Sequence, residues 1–517
     1  MLIKKILTHF HFCCGLGGGA KGFNEAKPIV GNMQAEWECL GGVDVDPAGL
    51  ADFKRLTGVE GTQLDLFTRE QYIRFHGKEP PAGWREATTE DIRRAAQNRW
   101  PDTVFISSPC KGASGLLSEK MSATPKYQAL NELTLRCIWL MAETWRDDPV
   151  PMLVFENVPR LANRGRHLLD QIGALLSHYG YAVAETTHDC GVIGGLAQSR
   201  KRFLLVARHV EKVPPFLYEP EKKSLRSVGD ILSRMPLAGD IERAGPMHRV
   251  PALQWKTWVR LALVEAGKDW RSLNNLAIQD GYLRDLVIVP GYRAGYMGVH
   301  GWNESMGTVA GRSNPTNGAF SVADPRARAG ALQYQQYGVR RWQDTSGAII
   351  GVKSPGQGTF SVADPRAAKM RTSGEPYLPG GHYGVVPLHG VAGGQHDDSR
   401  WDVAGTQLPS ADEKLTCIIE SLDGTWHRPF TTLELAAIQS LVEPEEQLEL
   451  DGLSDQAWRE RIGNAVPPKA AKAIGHVMGT TLLLAAQGET FMLSSMPIWV
   501  RRVAVGLVGG DLLVAER

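Results

Sequence analysis

A cysteine that follows an apolar run, a glutamate that ends the next one and two arginines two residues apart are the first chemistry-bearing features of the chain. Cys110 stands in Phe105-Ile106-Ser107-Ser108-Pro109-Cys110-Lys111-Gly112-Ala113-Ser114. A thiol just past the carboxyl end of a strand can act as a nucleophile where nearby positive charge favours its thiolate. The alternative for an isolated cysteine is a buried, inert thiol beside a proline turn. Glu156 ends Leu153-Val154-Phe155 and is followed by Asn157 and Val158. In an apolar setting such a carboxyl group would stay protonated and donate to a ring nitrogen; alone, it is equally a solvated turn residue. Arg200 and Arg202 in Gln198-Ser199-Arg200-Lys201-Arg202 share one face of an extended segment, so two guanidinium groups can be aimed at one place. Alternating solvated charge at a sheet edge is the plain reading of the same pair.

A second group of residues points to a nucleotide-like ligand. Cys14-Gly15-Leu16-Gly17-Gly18-Gly19 follows the first apolar run, where glycines let the backbone approach a ligand and open a helix. Asp44 and Asp46 end the second run, where ribose hydroxyls are commonly gripped, and Asp65 ends the third, within reach of an adenine amino group. On these residues alone, a nicotinamide dinucleotide is as good a ligand as any other adenosine.

The elements that must position these groups are legible as an alternation. Apolar, β-branched runs at 3–12, 39–45, 61–66, 103–107, 152–156, 181–186 and 203–207 are separated by amphipathic stretches such as 126–146 and 166–179. Strand–helix alternation predicts βαβ units, hence an α/β fold with a doubly wound, mainly parallel sheet. Functional groups in such a sheet gather at strand carboxyl ends, where the strand order reverses. From 209 the alternation stops and turn signals such as 311–318 and 353–358 recur. Inside 209–427 lies a repeat at an offset of 40, GAFSVADPRA at 318–327 and GTFSVADPRA at 358–367, extending upstream so that the copies span 299–327 and 339–367. Two copies cannot make a solenoid, so they predict a duplicated module, with Trp302 and Trp342 as its core anchors. Helical patterns return at 431–441 and 468–488, interrupted by Gly463-Asn464-Ala465-Val466-Pro467-Pro468.

Composition bounds the rest. The 517 residues predict two to four domains at roughly 100–200 residues each. Fifty-seven Lys and Arg against 56 Asp and Glu exclude a histone-like or an acidic disordered protein, though not a local basic cleft. Seven scattered cysteines without zinc-like spacing predict a reducing compartment, no disulfide framework and no metal site. No run approaches the ~18 apolar residues of a membrane span, and the N-terminus is a poor signal peptide, so a cytoplasmic protein without a membrane partner is expected.

Taken together and in order, these motifs resemble those of the DNA cytosine-5 methyltransferase family. The resemblance covers roughly 1–208 and 428–480: Gly15–Gly18, Pro109-Cys110, Glu156-Asn157-Val158, Gln198-x-Arg200-x-Arg202, RPFTTLELAAIQ at 428–439 and Gly463–Pro468. It implies a Rossmann-like, S-adenosylmethionine-dependent core of the bacterial or phage type at 1–208. It further implies a target-recognition domain at 209–427, returning motifs at 428–485, and leaves a tail at 486–517 without a role. By the same resemblance, the catalytic set is Cys110, Glu156, Asn157, Arg200 and Arg202. The cofactor set is Phe12, Gly15, Leu16, Gly17, Gly18, Asp44, Asp65, Pro109, Asn464 and Val466, with the Asn464 amide buttressing two loops. Nucleic-acid contacts are assigned to Ser114, Arg312, Arg340 and Arg341. The implied reaction adds Cys110 to C6 of a flipped-out cytosine and methylates C5. The implied partner is double-stranded DNA carrying a specific cytosine, read by a monomer, alongside a cognate restriction endonuclease acting separately. An RNA substrate and a catalytically silent DNA-binding relative are the rival readings. The chain departs from the family in having His11 and Phe12 or Cys13 where an acidic residue and a Phe are usual. It also has Lys111 and Ala113 after the Pro-Cys pair, and an apparent insertion near 68–100.

Overall fold

The computed structural model describes residues 2–109, 124–264 except 217, and 430–488. Between these it describes the short pieces 278–279, 282–283, 299–300, 321–322, 339–340, 342–346, 349, 361–364, 409–416, 419–420 and 426–429. Cys110, Ser114, Arg312, Arg341, Trp302 and the tail beyond 488 lie outside the described residues. Of Arg340 only the backbone is described.

Eight strands form the central sheet: β1 (Ile3–Phe12), β2 (Ile29–Val30), β3 (Met33–Asp44), β4 (Thr62–Gln63), β5 (Thr103–Ile106), β6 (Met152–Asn157), β7 (Tyr181–Asp189) and β8 (Lys201–His209). Their order is β2-β3-β1-β5-β6-β8-β7, with β4 also paired to β3. β3, β1, β5 and β6 run parallel, while β8 is antiparallel to both its neighbours. From β1 the chain first lays strands on one side and then crosses to β5 on the other. The switch point therefore falls between the carboxyl ends of β1 and β5, where a ligand crevice opens in such sheets.

The strand alternation of apolar residues feeds two cores. On one face Phe10, Phe12, Val104, Ile106, Leu153 and Phe155 meet helices that include α3 (Pro125–Thr144) and α4 (Arg166–His178). On the other face Leu7, Phe105, Val154 and Leu204 meet α1 (Gly18–Glu25) and α7 (Pro468–Ala486). A sheet covered by helices on both faces is the doubly wound α/β architecture expected from the alternation. The long α7 thus returns the chain's C-terminal motifs to the N-terminal core.

α1 and α7 approach so closely that Gly22 has no room for a side chain. A Cβ there would stand 2.2 Å from the Pro468 carbonyl oxygen and 2.6 Å from the Ala471 Cβ. Gly22→Ala should therefore cost about 1–3 kcal/mol of overpacking strain, read as a lowered thermal midpoint. An unchanged midpoint would mean that the two helices separate freely.

Several bounds differ from those expected. The second strand begins at Met33 rather than 39, and the third is only Thr62–Gln63. Asp65 is drawn out of the strand because its carboxylate accepts from Phe67 N at 3.0 Å and from the Trp84 indole at 3.1 Å. The 68–100 segment folds into helices at Arg69–His76 and Thr89–Ala95, each opened by a capping box. α6 (Asp455–Asn464), capped by Ser454, was not evident from the sequence.

A third core lies under the loops. Val228, Ile231, Leu232, Met235 and Met247 join Phe430, Leu433 and Leu441 from α5 (Thr432–Ile438) and its flanks, and Trp458 and Ile462 from α6. Trp342 packs against this cluster, with Gly229 N donating to its carbonyl at 2.5 Å, so the second repeat copy is anchored through its tryptophan. The two copies also share a backbone pattern. Val299–His300 pairs in parallel with Ser321–Val322, and Val339–Arg340 pairs in the same register with Ser361–Val362.

Candidate active site

A cleft of about 420 Å³ opens at the switch point. The loops after β1, β3, β5 and β6, the start of β8 and the α6–α7 junction all line it. The structure brings together Phe12, Gly15, Leu16, Asp44, Pro109, Glu156, Asn157, Arg200, Arg202, Asn464 and Val466, which the sequence scattered over more than four hundred positions. Asp65 is not among the lining residues.

The glycine turn is built before it is filled. Cys14 N donates to Val43 O and Gly17 N to Cys14 O, while Cys13 at φ 51°, Gly15 at φ 51° and Gly17 at φ 92° turn the backbone back on itself. Gly17 is the N-cap of α1 and offers no side-chain acceptor, so no side chain caps the first N–H groups of the helix. Gly18 must be glycine for another reason: a Cβ there would lie 2.2 Å from Val466 O. The Gly463–Pro468 motif is thereby seated against the glycine turn. Asp44 fixes the opposite side, accepting from Gly15 N at 2.9 Å and Asp46 N at 3.0 Å, while Asp46 caps α2 (Pro47–Thr57) through Ala48 N. Burial raises the Asp44 carboxyl above its ordinary range, and the N–H donors pull the other way.

Glu156 is the penultimate residue of β6, and its pairing partner on β8 lies two residues beyond Arg202. Arg202 Nε stands 2.8 Å from Glu156 Oε1, and Ser107 Oγ donates to Oε2 at 3.0 Å. The setting is not the apolar one expected from the sequence: a guanidinium and a hydroxyl hold the carboxylate from both sides. Ser107 was not singled out in the sequence, and its place directly after β5 is the only signal that pointed to it. Asn157 turns back on the same loop, its Nδ2 reaching Ser108 O at 3.5 Å and its Oδ1 accepting from Val158 N at 2.8 Å.

Arg200 is buried and acts as a clamp. Its Nη1 donates to Ile349 O at 2.7 Å and Gly463 O at 2.9 Å, tying the repeat region and the α6–α7 junction to the root of β8. Gln439 completes the joint through Ala465 O at 2.8 Å. Asn464 is exposed at the rim, and its amide bonds no described residue; Arg200 and Gln439 make bonds at this junction.

The described thiols of the cleft are disarmed. A hydrogen bond with Cys137, at 4.0 Å, and burial hold the Cys13 thiol well above its ordinary pKa, and burial does the same for Cys14. Neither is a nucleophile at neutral pH. His9 and His11 are also buried beside the glycine turn. Burial pushes His9 down to about 4 and His11 well below its ordinary value, so both are neutral. Among the described residues no group of three His, Cys, Asp or Glu could hold a metal ion, and no helix is long and apolar enough to cross a membrane.

The model of the C-5 cytosine-specific DNA methylase family matches residues 69–253, a stretch that holds Cys110, Glu156 and both arginines. Over that stretch the chain is similar to the family. The glycine turn, Asp44 and the Gly463–Pro468 motif lie outside the matched stretch, yet they share the cleft with it. Similar solved structures include the Entamoeba histolytica methyltransferase EhMeth, at 12% identity and TM-score 0.46, covering 92% of this chain and 98% of that one. The S. pombe Dnmt2 methyltransferase is similar at 12% and 0.44, covering 93% and 99%. A Spodoptera frugiperda DNMT2 mutant is similar at 12% and 0.46, covering 92% and 99%. No curated protein matches the sequence.

Proposed function

We propose that the chain methylates C5 of cytosine within a specific sequence of double-stranded DNA, with S-adenosylmethionine as donor. The observation that carries this reading is the grip of Arg202 and Ser107 on Glu156 inside the same cleft as the glycine turn and Asp44. Pro109 lines that cleft, and the next residue in the chain is Cys110.

The residues fit the donor. The uncapped N–H groups of α1 suit a carboxylate, and Asp44 at the end of β3 suits ribose hydroxyls. When bound, that group supplies an electrophilic methyl. The remaining work falls to the chain. The Cys110 thiolate forms a bond to C6 of the target, and the displaced ring electrons are drawn toward N3, which Glu156 holds. C5 becomes electron-rich enough to take the methyl group. Loss of the C5 proton then breaks the sulfur–C6 bond and returns the thiolate. Arg202 fixes Glu156 and faces the cytosine carbonyl. A cytosine stacked in a duplex cannot reach this cleft, so the base is flipped out. Residues 209–427 would read its surroundings, and Ser114, Arg312, Arg340 and Arg341 remain the proposed contacts. A monomer acting in the cytoplasm of a bacterium, alone or beside a restriction endonuclease, fits this chemistry.

Expression in a bacterium lacking DNA methylation, followed by bisulfite sequencing, tests the proposal. Modified cytosines in one fixed context are expected. Unmodified DNA with methylated tRNA would move the substrate to RNA, and neither modification would overturn the enzyme. Within the cleft, Glu156→Gln should lower single-turnover methyl transfer by about 10²-fold or more, since the amide keeps the shape but cannot serve N3 as the acid does. An unchanged rate would remove Glu156 from the chemistry.

A further inference from the structure

We propose that His11 receives the amino group at the amino-acid end of the methyl donor, through an imidazole lone pair whose direction is set by His9 and Asn24. The inference rests on the reading that the cleft binds S-adenosylmethionine. It assigns a binding role to residues that are not the acidic type usual at this position.

The geometry fixes which ring nitrogen carries the proton. Alternation along β1 puts Phe10 and Phe12 in one core and turns His9 and His11 to the other face, under α1. Asn24 of α1 presents Oδ1, an acceptor only, 2.9 Å from His9 Nε2. His9 Nε2 therefore carries the hydrogen, and His9 Nδ1 is left as an acceptor. His11 Nε2, 2.8 Å from that atom, must then donate to it. The chain of bonds ends at His11 Nδ1, an unprotonated nitrogen to which no described residue donates. Stacking on Phe105, with ring centroids 5.5 Å apart and 28° between planes, holds the ring in place.

His11 stands where the amino-acid end of the proposed ligand would lie. His11 lines the cleft, and a Cβ at Gly19 would lie 3.6 Å from His11 Nδ1. Gly19 also stands in the uncapped first turn of α1, whose N–H groups suit the ligand's carboxylate. The carboxylate and amino groups share one carbon, so binding the first at this turn delivers the second beside His11. Two carboxylates of the cleft already have other roles in the proposed function, Asp44 toward the ribose and Glu156 toward N3 of the target, and Asp46 caps α2 through Ala48. A neutral acceptor suits the site because a buried carboxylate would carry a full desolvation cost whenever the cleft is empty.

Calorimetry on the full chain separates the possibilities. S-adenosylhomocysteine and its analogue with hydrogen in place of the α-amino group are titrated against wild type, His11→Phe and Asn24→Leu. Wild type should bind the amino compound about 10-fold or more tighter than the analogue. In His11→Phe, which keeps the stack on Phe105, the two affinities should converge on that of the analogue. Asn24→Leu leaves His11 in place but frees its tautomer, so the preference should shrink by about 3-fold or more; this variant decides the matter if His11→Phe does not fold. Wild type that binds both compounds equally, or variants that keep the full preference, overturn the role of His11 while leaving the donor site standing. Wild type that binds neither compound overturns the donor site and the inference together.

Discussion

Replacing Cys110 with alanine is expected to abolish methyl transfer while leaving S-adenosylhomocysteine affinity within about 2-fold of wild type. The loss should be on the order of 10⁴–10⁶-fold, the range seen when a covalent nucleophile is removed. The size of the effect follows from the substrate: C5 of cytosine is a poor nucleophile, and no other thiol of the cleft can make it a better one. Cys13 and Cys14 are held as neutral thiols by Cys137 and by burial. Donor binding should survive because Asp44 and the uncapped turn of α1 do not depend on the Cys110 side chain. A cytosine carrying fluorine at C5 offers a second measurement. It has no C5 proton to lose, so wild type should stay bonded to such DNA through denaturing electrophoresis, and Cys110→Ala should not. Methylation by the alanine variant would take the nucleophile away from Cys110.

The second large effect is on stability. Arg428 is fully buried and donates to Asp364 Oδ2 at 2.8 Å and to both oxygens of Glu434, each at 2.8 Å. Burial alone would lower its pKa; the two carboxylates outweigh that and hold it above its ordinary range. Glu434 also closes the capping box of α5 with Thr431. Arg428→Ala would strand two buried carboxylates and should cost about 3–5 kcal/mol, visible as a lower midpoint in urea. Lysine should not rescue it, because a point charge cannot face both partners as a planar fork does. Combining Arg428→Met with Asp364→Asn and Glu434→Gln should regain much of the loss, since no uncompensated charge then remains. A single Arg428→Ala variant as stable as wild type would mean that the cluster is hydrated.

The alternation of apolar runs and amphipathic stretches made the doubly wound sheet legible, because burial on both faces of a parallel sheet demands that pattern. The glycine turn, Asp44, Glu156 and Arg202 were legible because strand ends collect function. What escaped was contact between distant segments. Nothing local marks Ser107 as the second partner of Glu156 or Arg200 as the clamp on Gly463. Asp65 was misplaced because its indole partner, Trp84, comes from the 68–100 segment, whose own helices the strand pattern concealed. The pairing of His9 with His11 was not legible in the sequence. It became interpretable only once Asn24 of α1 was seen beside it.

The buried Arg428 cluster bears on how the repeat region can be exchanged. Both repeat copies pair their strands alike, but among the described residues only the second is stitched to the strand Trp426–Pro429, and Asp364 meets Arg428 there. A recombination event that swapped 209–427 between relatives would separate Asp364 from Arg428, whereas one that carried the segment through 434 would keep the charges together. A graft of the repeat region into another scaffold should therefore be cut beyond Glu434 rather than at 427.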